Sequence, residues 1–180
     1  MKKTILSLTL VLATGLLFAQ KKTTTSAVIS FDATTSIDKL PKADNKTAIA
    51  SLDTKTGKLA FEVTIKNFAF SNPRIQEHFN GEGWMNSDKF PTATFKGDIT
   101  NLKAINFSKD GTYSVTVLGE IIIHGVTRPI EADGSIVVSG SKISTTSAFK
   151  IKLEDFGVNG GAIAAGKVSK EPAITVAAEF

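Results

Sequence analysis

Alternation of apolar and polar residues, sustained over most of the chain, is the feature that most restricts its folds. Leu59, Phe61, Val63 and Ile65 alternate with Ala60, Glu62 and Thr64. Ala93, Phe95, Gly97 and Ile99 alternate with Thr94, Lys96 and Asp98, and Tyr113 opens a longer run that reaches Ile123. Ala27 to Ala33, Ile130 to Val138, Ile143 to Leu153 and Ile174 to Phe180 continue the pattern, with turn residues between them. A period of two places every second side chain on one face of a strand, so the chain reads as all-β.

The turns fix registers that can be checked against one another. His124-Gly125 suits a two-residue hairpin turn, because His tolerates positive φ better than most residues. Ile123 then faces Val126, Gly119 faces Ile130, Val117 faces Ala132 and Tyr113 faces Ile136. A turn over Ser139 to Lys142 pairs Val138 with Ile143, and would extend to Ala132 with Phe149 and Ile130 with Ile151. A turn at Thr54 to Gly57 sets Leu52 against Leu59 and Ala50 against Phe61. Each register puts the apolar residues on the same side, and a slip of one residue would turn them outward. The three agree on one antiparallel sheet with one buried face.

Such a sheet either packs on a second layer or curls into a barrel. Strands of about eight to thirteen residues, with few apolar outward positions, favour closure into an eight-stranded antiparallel barrel. One short helix is expected over 73–80. Asn72 is placed to cap it, Pro73 suits its first position, Gly81 ends it, and Ile75 and Phe79 share the face that docks.

The N-terminus has a different character. Lys2 and Lys3 precede an apolar run from Ile5 to Phe18, the pattern of a secretory signal ending near Ala19. Residues 1–19 are therefore expected to be a signal peptide, 20–26 a flexible polar lead-in, and 27–180 the barrel domain. Loss of the two lysines lowers the net charge from +4 to +2. No long basic block is left, which argues against a nucleic-acid partner. With no cysteine in the chain, an exported domain must rely on its core rather than on disulfides. A periplasmic or secreted protein, monomeric or homodimeric, is the expectation.

Three stretches, "HFNGEGWMNSDKFPTATFKG" (78–97), "GEIIIHGVTRPIEADG" (119–134) and "FKIKLEDFGV" (149–158), resemble the YceI-like family of secreted, lipocalin-like, polyisoprenoid-binding proteins. The resemblance extends over roughly 26–180. It implies an eight-stranded barrel with a flanking helix, whose interior takes an isoprenoid chain, a quinone or a similar amphiphile. Two departures accompany it. The opening strand region, "SAVISFDATTSIDKL", lacks the His-Ser pair common in the family, and Arg74-Ile75 replaces the usual Arg-Asp.

On parity alone, Phe31, Phe61, Phe95, Tyr113 and Phe149 face inward, while Phe68, Phe70, Phe79 and Trp84 gather near the helix. Large side chains facing Ala48, Ala50, Gly97, Gly119, Ala132 and Gly134 either interdigitate into a solid core or leave a channel. The solid core describes an exported structural or protein-interaction domain with no small ligand. The resemblance implies the channel instead, lined by Phe31, Phe61, Phe70, Phe79, Trp84, Met85, Phe95, Tyr113 and Phe149. Residues 78–90, with Gly81 and Gly83, would serve as its gate. Burying a tail of about twenty carbons at roughly 0.8 kcal/mol each yields about 16 kcal/mol against water. From a bilayer the transfer is near neutral, which suits a carrier, store or scavenger making transient membrane contact.

Reactive chemistry has little support in the residues. His78 beside Glu77 and Glu82 lacks metal-ligand spacing, and only one other histidine exists. There is no Gly-x-Ser-x-Gly, no cysteine nucleophile and no phosphate loop. No enzyme, metal or cofactor is expected apart from a bound isoprenoid lipid or quinone. Arg128 falls on the inward parity opposite Ile121, where a lone buried cation is costly. It is expected at the rim, either in a salt bridge with Glu154 or Asp155 or holding a polar head group.

Overall fold

The computed structural model describes residues 21–180, so the predicted signal peptide lies outside the described residues. Nine strands run in chain order: β1 (Lys21–Asp32), β2 (Lys42–Asp53), β3 (Lys58–Thr64), β4 (Ala69–Phe70), β5 (Thr92–Ile99), β6 (Gly111–Ile123), β7 (Val126–Ser139), β8 (Lys142–Lys150) and β9 (Ala173–Glu179). Eight pair antiparallel in the order β1-β9-β8-β7-β6-β5-β3-β2, and β1 pairs with β2 to close the barrel. The short β4 adds to β2 through Ala43 with Phe70 and Asp44 with Ala69. Helix α1 (Pro73–Asn80) crosses from β4 towards β5, and a single turn, α2 (Gly161–Ala164), lies in the connection to β9. No helix among the described residues is long and apolar enough to cross a membrane.

Local chemistry explains the elements. Asn72 accepts the Arg74 N–H at 2.9 Å and caps α1, Pro73 begins it, and the Gly81 N–H returns to the Glu77 and His78 carbonyls. His124 and Gly125 both take positive φ, 53° and 75°, the primed turn whose twist matches its flanking strands. The register from Ile123–Val126 to Tyr113–Ile136 is as predicted. So are Leu52–Leu59 and Ala50–Phe61. Fully buried Asn45 ties β2 to the end of β3. Its amide donates to the Thr64 carbonyl at 2.9 Å, and its oxygen accepts the Thr47 N–H.

Two expectations need correcting. The first is the flexible lead-in at 20–26, because Lys21 to Thr24 pair with Asp53 to Ala50 inside β1. Three threonines supply β propensity there without an apolar alternation to reveal it. The second concerns the β7–β8 ladder, which stops at Gly134–Ser147, so Ala132–Phe149 and Ile130–Ile151 do not form. Phe149 is paired on its other edge alone, with Ile174 of β9. Beyond β8 the chain follows the 170–172 segment, with the Ile151 N–H on the Pro172 carbonyl and the Leu153 N–H on the Lys170 carbonyl.

Pro129 gives the physical reason for the parting. In a two-residue hairpin, the backbone groups of Val126, Arg128 and Ile130 face β6, and those of Thr127, Pro129 and Glu131 face away. The missing N–H of Pro129 therefore falls on the edge turned towards β8, where proline is tolerated only if the edge is unpaired. Consistent with that direction, the Thr127 and Asp133 carbonyls accept side-chain donors, Arg128 and Ser147 respectively.

Candidate functional site

The buried face of the barrel carries two apolar clusters with a cavity running between them. At one end, Phe79 of α1 lies at the centre of an aromatic group. Its ring centroid is 4.9 Å from that of Phe70, 5.2 Å from Trp84, 5.6 Å from Phe31 and 5.7 Å from Phe68. The other end is built from Leu52, Ile99, Val115, Ile136, Val138 and Ile143. The cavity has a volume of about 150 Å³ and an almost wholly apolar wall, drawn from both ends. Among the described residues no Asp, Glu, His, Lys, Arg or Tyr side chain lines it.

Volume sets what such a space can hold. An apolar cavity of about 150 Å³ holds a guest about the size of benzene, roughly six carbons. The tail of about twenty carbons considered above exceeds that, so part of it must emerge or widen the barrel. The seam where β7 and β8 part is one place with room, since Ile130 and Ala132 on one side and Phe149 and Ile151 on the other all reach the cavity.

The YceI-like domain model matches residues 16–180 of the sequence. The chain belongs to the YceI-like family. Solved structures similar to this YceI-like barrel include a polyisoprenoid binding domain from Saccharophagus degradans implicated in plant cell wall breakdown, with a TM-score of 0.74 at 11% identity, covering 89% of this chain and 97% of that one. Burkholderia cenocepacia BcnA follows with a TM-score of 0.71 at 17% identity, covering 86% and 96%. The Campylobacter jejuni YceI protein has a TM-score of 0.56 at 21% identity, covering 74% and 79%. At these identities the likeness is one of fold. The sequence matches none of the curated proteins.

Of the residues predicted to line a channel in this YceI-like barrel, Phe31, Phe61, Phe79, Met85, Phe95 and Phe149 reach the cavity wall. Phe70, Trp84 and Tyr113 do not. Phe70 and Trp84 stand behind Phe79 in the aromatic group, and the Tyr113 hydroxyl leaves the interior to donate to the Lys109 carbonyl at 2.9 Å. The segment read as a gate is tightly held: Trp84 and Met85 are each 6% exposed, and the Trp84, Met85 and Asn86 N–H groups all bond back to residues 79–81.

The small residues divide in a way that parity could not foresee. Gly97 and Gly119 face each other, but the Phe95 ring lies across both, so a Cβ on either would collide with it. They make a seat for that ring and open no channel. Ala48 and Ala50 are buried in contact between β2 and its neighbours and do not line the cavity, whereas Ala93, Ala132 and Gly134 do. The predicted lining also omits Ile151, though its parity reads as inward, and Leu153, both beyond β8, together with Thr145 and Ser147, polar residues on the inward parity of β8. The signals available were Pro129 for the seam and the inward series Ile143, Thr145, Ser147, Phe149 for the polar pair.

Arg128 is exposed at the hairpin end, donates to its neighbour's carbonyl at 3.2 Å and forms no ion pair with Glu154 or Asp155. The predicted rim salt bridge is thus absent. The ion pairs among the described residues, Lys58–Asp98, Lys66–Asp88 and Lys142–Glu179, are all on the surface. His78 is exposed on α1, and no group of three candidate metal ligands occurs among the described residues. His124 closes the barrel end: its Nδ1 donates to the Phe156 carbonyl at 3.1 Å, and its ring packs on Phe90 with centroids 4.3 Å apart.

Proposed function

We propose that this protein binds an isoprenoid chain, quinone or similar amphiphile non-covalently inside the barrel, and serves as its carrier, store or scavenger. The observation that carries the reading is the almost wholly apolar cavity of about 150 Å³ lined by the inner face of the barrel. An apolar cavity of this kind stays dry and stabilises a hydrocarbon guest. Membership of the YceI-like family, and the polyisoprenoid binding ascribed to the Saccharophagus degradans neighbour, support a prenyl ligand. A wall without acids or bases favours holding over transforming, because proton transfer to a bound guest needs a titratable group within reach.

Export is part of the proposal. The Lys2-Lys3 start and the apolar run to Phe18 support a periplasmic or secreted location, where a lipid leaving a bilayer needs an apolar host. Transfer from membrane to barrel exchanges one apolar environment for another, so loading and release are both feasible.

Trp84, the single tryptophan, reports on the site from its place against Phe79. Delipidated protein titrated with farnesol should show a saturable change in tryptophan emission as Phe79 adjusts to the guest. A flat titration with farnesol at its solubility limit would count against the binding role.

A further inference from the structure

The cavity wall holds one buried polar side chain that the protein itself leaves unpaired. Thr145 lies on the inward parity of β8, opposite Ile136 of β7 and Ala178 of β9, and is 8% exposed. Three polar side chains are buried among the described residues: Asn45, Ser87 and Thr145. Asn45 bonds Thr64 and Thr47, and the Ser87 hydroxyl donates to the Asn80 carbonyl. The Thr145 hydroxyl has no partner. Other unpaired buried atoms, Asn80 Oδ1, Trp84 Nε1 and His124 Nε2, belong to residues that do not line the cavity. Ser147, the next inward residue, is satisfied by the Asp133 carbonyl at 2.7 Å.

A buried hydroxyl without a partner is destabilising, and valine would fill the same space without that cost. Thr145 lines the cavity, and rotation about χ1 carries its hydroxyl between staggered positions, one of them now held by its methyl group. No Lys, Arg or His lines the wall, so a phosphate there would be a buried anion without a counter-charge. An uncharged hydroxyl or carbonyl meets both conditions.

We propose that Thr145 is the polar subsite of the cavity, hydrogen-bonding an uncharged oxygen of the bound amphiphile. The oxygen lies at the end built by Ile99, Val115 and Ile136, and the hydrocarbon runs towards Phe79 and Met85. This rests on the lipid-binding reading and narrows it to neutral prenyl alcohols and carbonyl compounds, such as quinones, rather than prenyl phosphates or hydrocarbons.

The test is calorimetric titration of the delipidated full domain with geraniol, with the hydrocarbon of the same skeleton and with geranyl phosphate. Wild type should bind geraniol best. Thr145→Val should weaken geraniol about fivefold, as expected for one net hydrogen bond, while hydrocarbon affinity is unchanged. Thr145→Ser should restore geraniol binding, and the Thr145→Val apoprotein should melt higher than wild type. Geraniol binding unchanged in Thr145→Val, equal losses for geraniol and hydrocarbon, or geranyl phosphate bound as tightly as geraniol would each overturn the subsite. All three leave lipid binding standing. Wild type binding none of the three probes would overturn the lipid reading and the subsite with it.

Discussion

Ala132→Phe should abolish lipid binding while leaving the barrel folded. Ala132 lies on β7 opposite Val117, two residues beyond the last β7–β8 pair, and lines the cavity. A benzyl group there would project into a space of about 150 Å³ and occupy much of it. Each displaced chain carbon forfeits roughly 0.8 kcal/mol, so farnesol affinity should fall by about a hundredfold or more. The ring enters an existing void at a half-buried position, so the strain of overpacking stays within about 1–2 kcal/mol. Farnesol titration and thermal melting of the variant check the two halves separately. Unchanged affinity would mean that the lipid sits elsewhere.

Phe79→Ala should produce the largest loss of stability available from one aromatic. The residue is 2% exposed and touches the rings of Phe31, Phe68, Phe70 and Trp84. Truncation removes the side chain through which α1, too short to be stable alone, docks on the barrel. Deleting a buried phenylalanine costs about 3–5 kcal/mol, which for a domain of this size lowers the melting temperature by about 10 °C. Urea denaturation gives the free energy directly. A loss below about 1 kcal/mol would show that α1 is not held through this residue.

Legibility followed the range of the interactions involved. The His124-Gly125 turn is written in two adjacent residues, and its register propagates along β6 and β7 because a slip would expose Val117 and Ile136 together. The cap on α1 is equally local. The pairing of Lys21 to Thr24 is not legible, since a threonine-rich stretch whose pairing gives it order shows no apolar period. The parting of β7 and β8 hinges on one N–H missing from Pro129, while the chain after Lys150 keeps its other edge bonded to the 170–172 segment.

The site divides along the same line. Parity placed Phe31, Phe61, Phe95 and Phe149 on the inner face, and they line the cavity. Parity could not show that the Phe95 ring would lie over Gly97 and Gly119, nor that Phe79 would stand between Trp84 and the interior. Those outcomes depend on rotamers and on packing between elements distant in sequence. Arg128 shows the converse error. Its inward parity holds in the register opposite Ile121, yet at the hairpin end the side chain reaches solvent, and no carboxylate is needed to neutralise it.

The most direct test is chemical. Protein purified from its native host without detergent should be extracted with organic solvent and the extract analysed by mass spectrometry. A prenyl lipid or quinone present in stoichiometric amount is the predicted result, and it would name the ligand as well. An extract empty of amphiphiles, from protein that remains folded and still refuses added farnesol, would contradict the account and leave a structural barrel with an empty core.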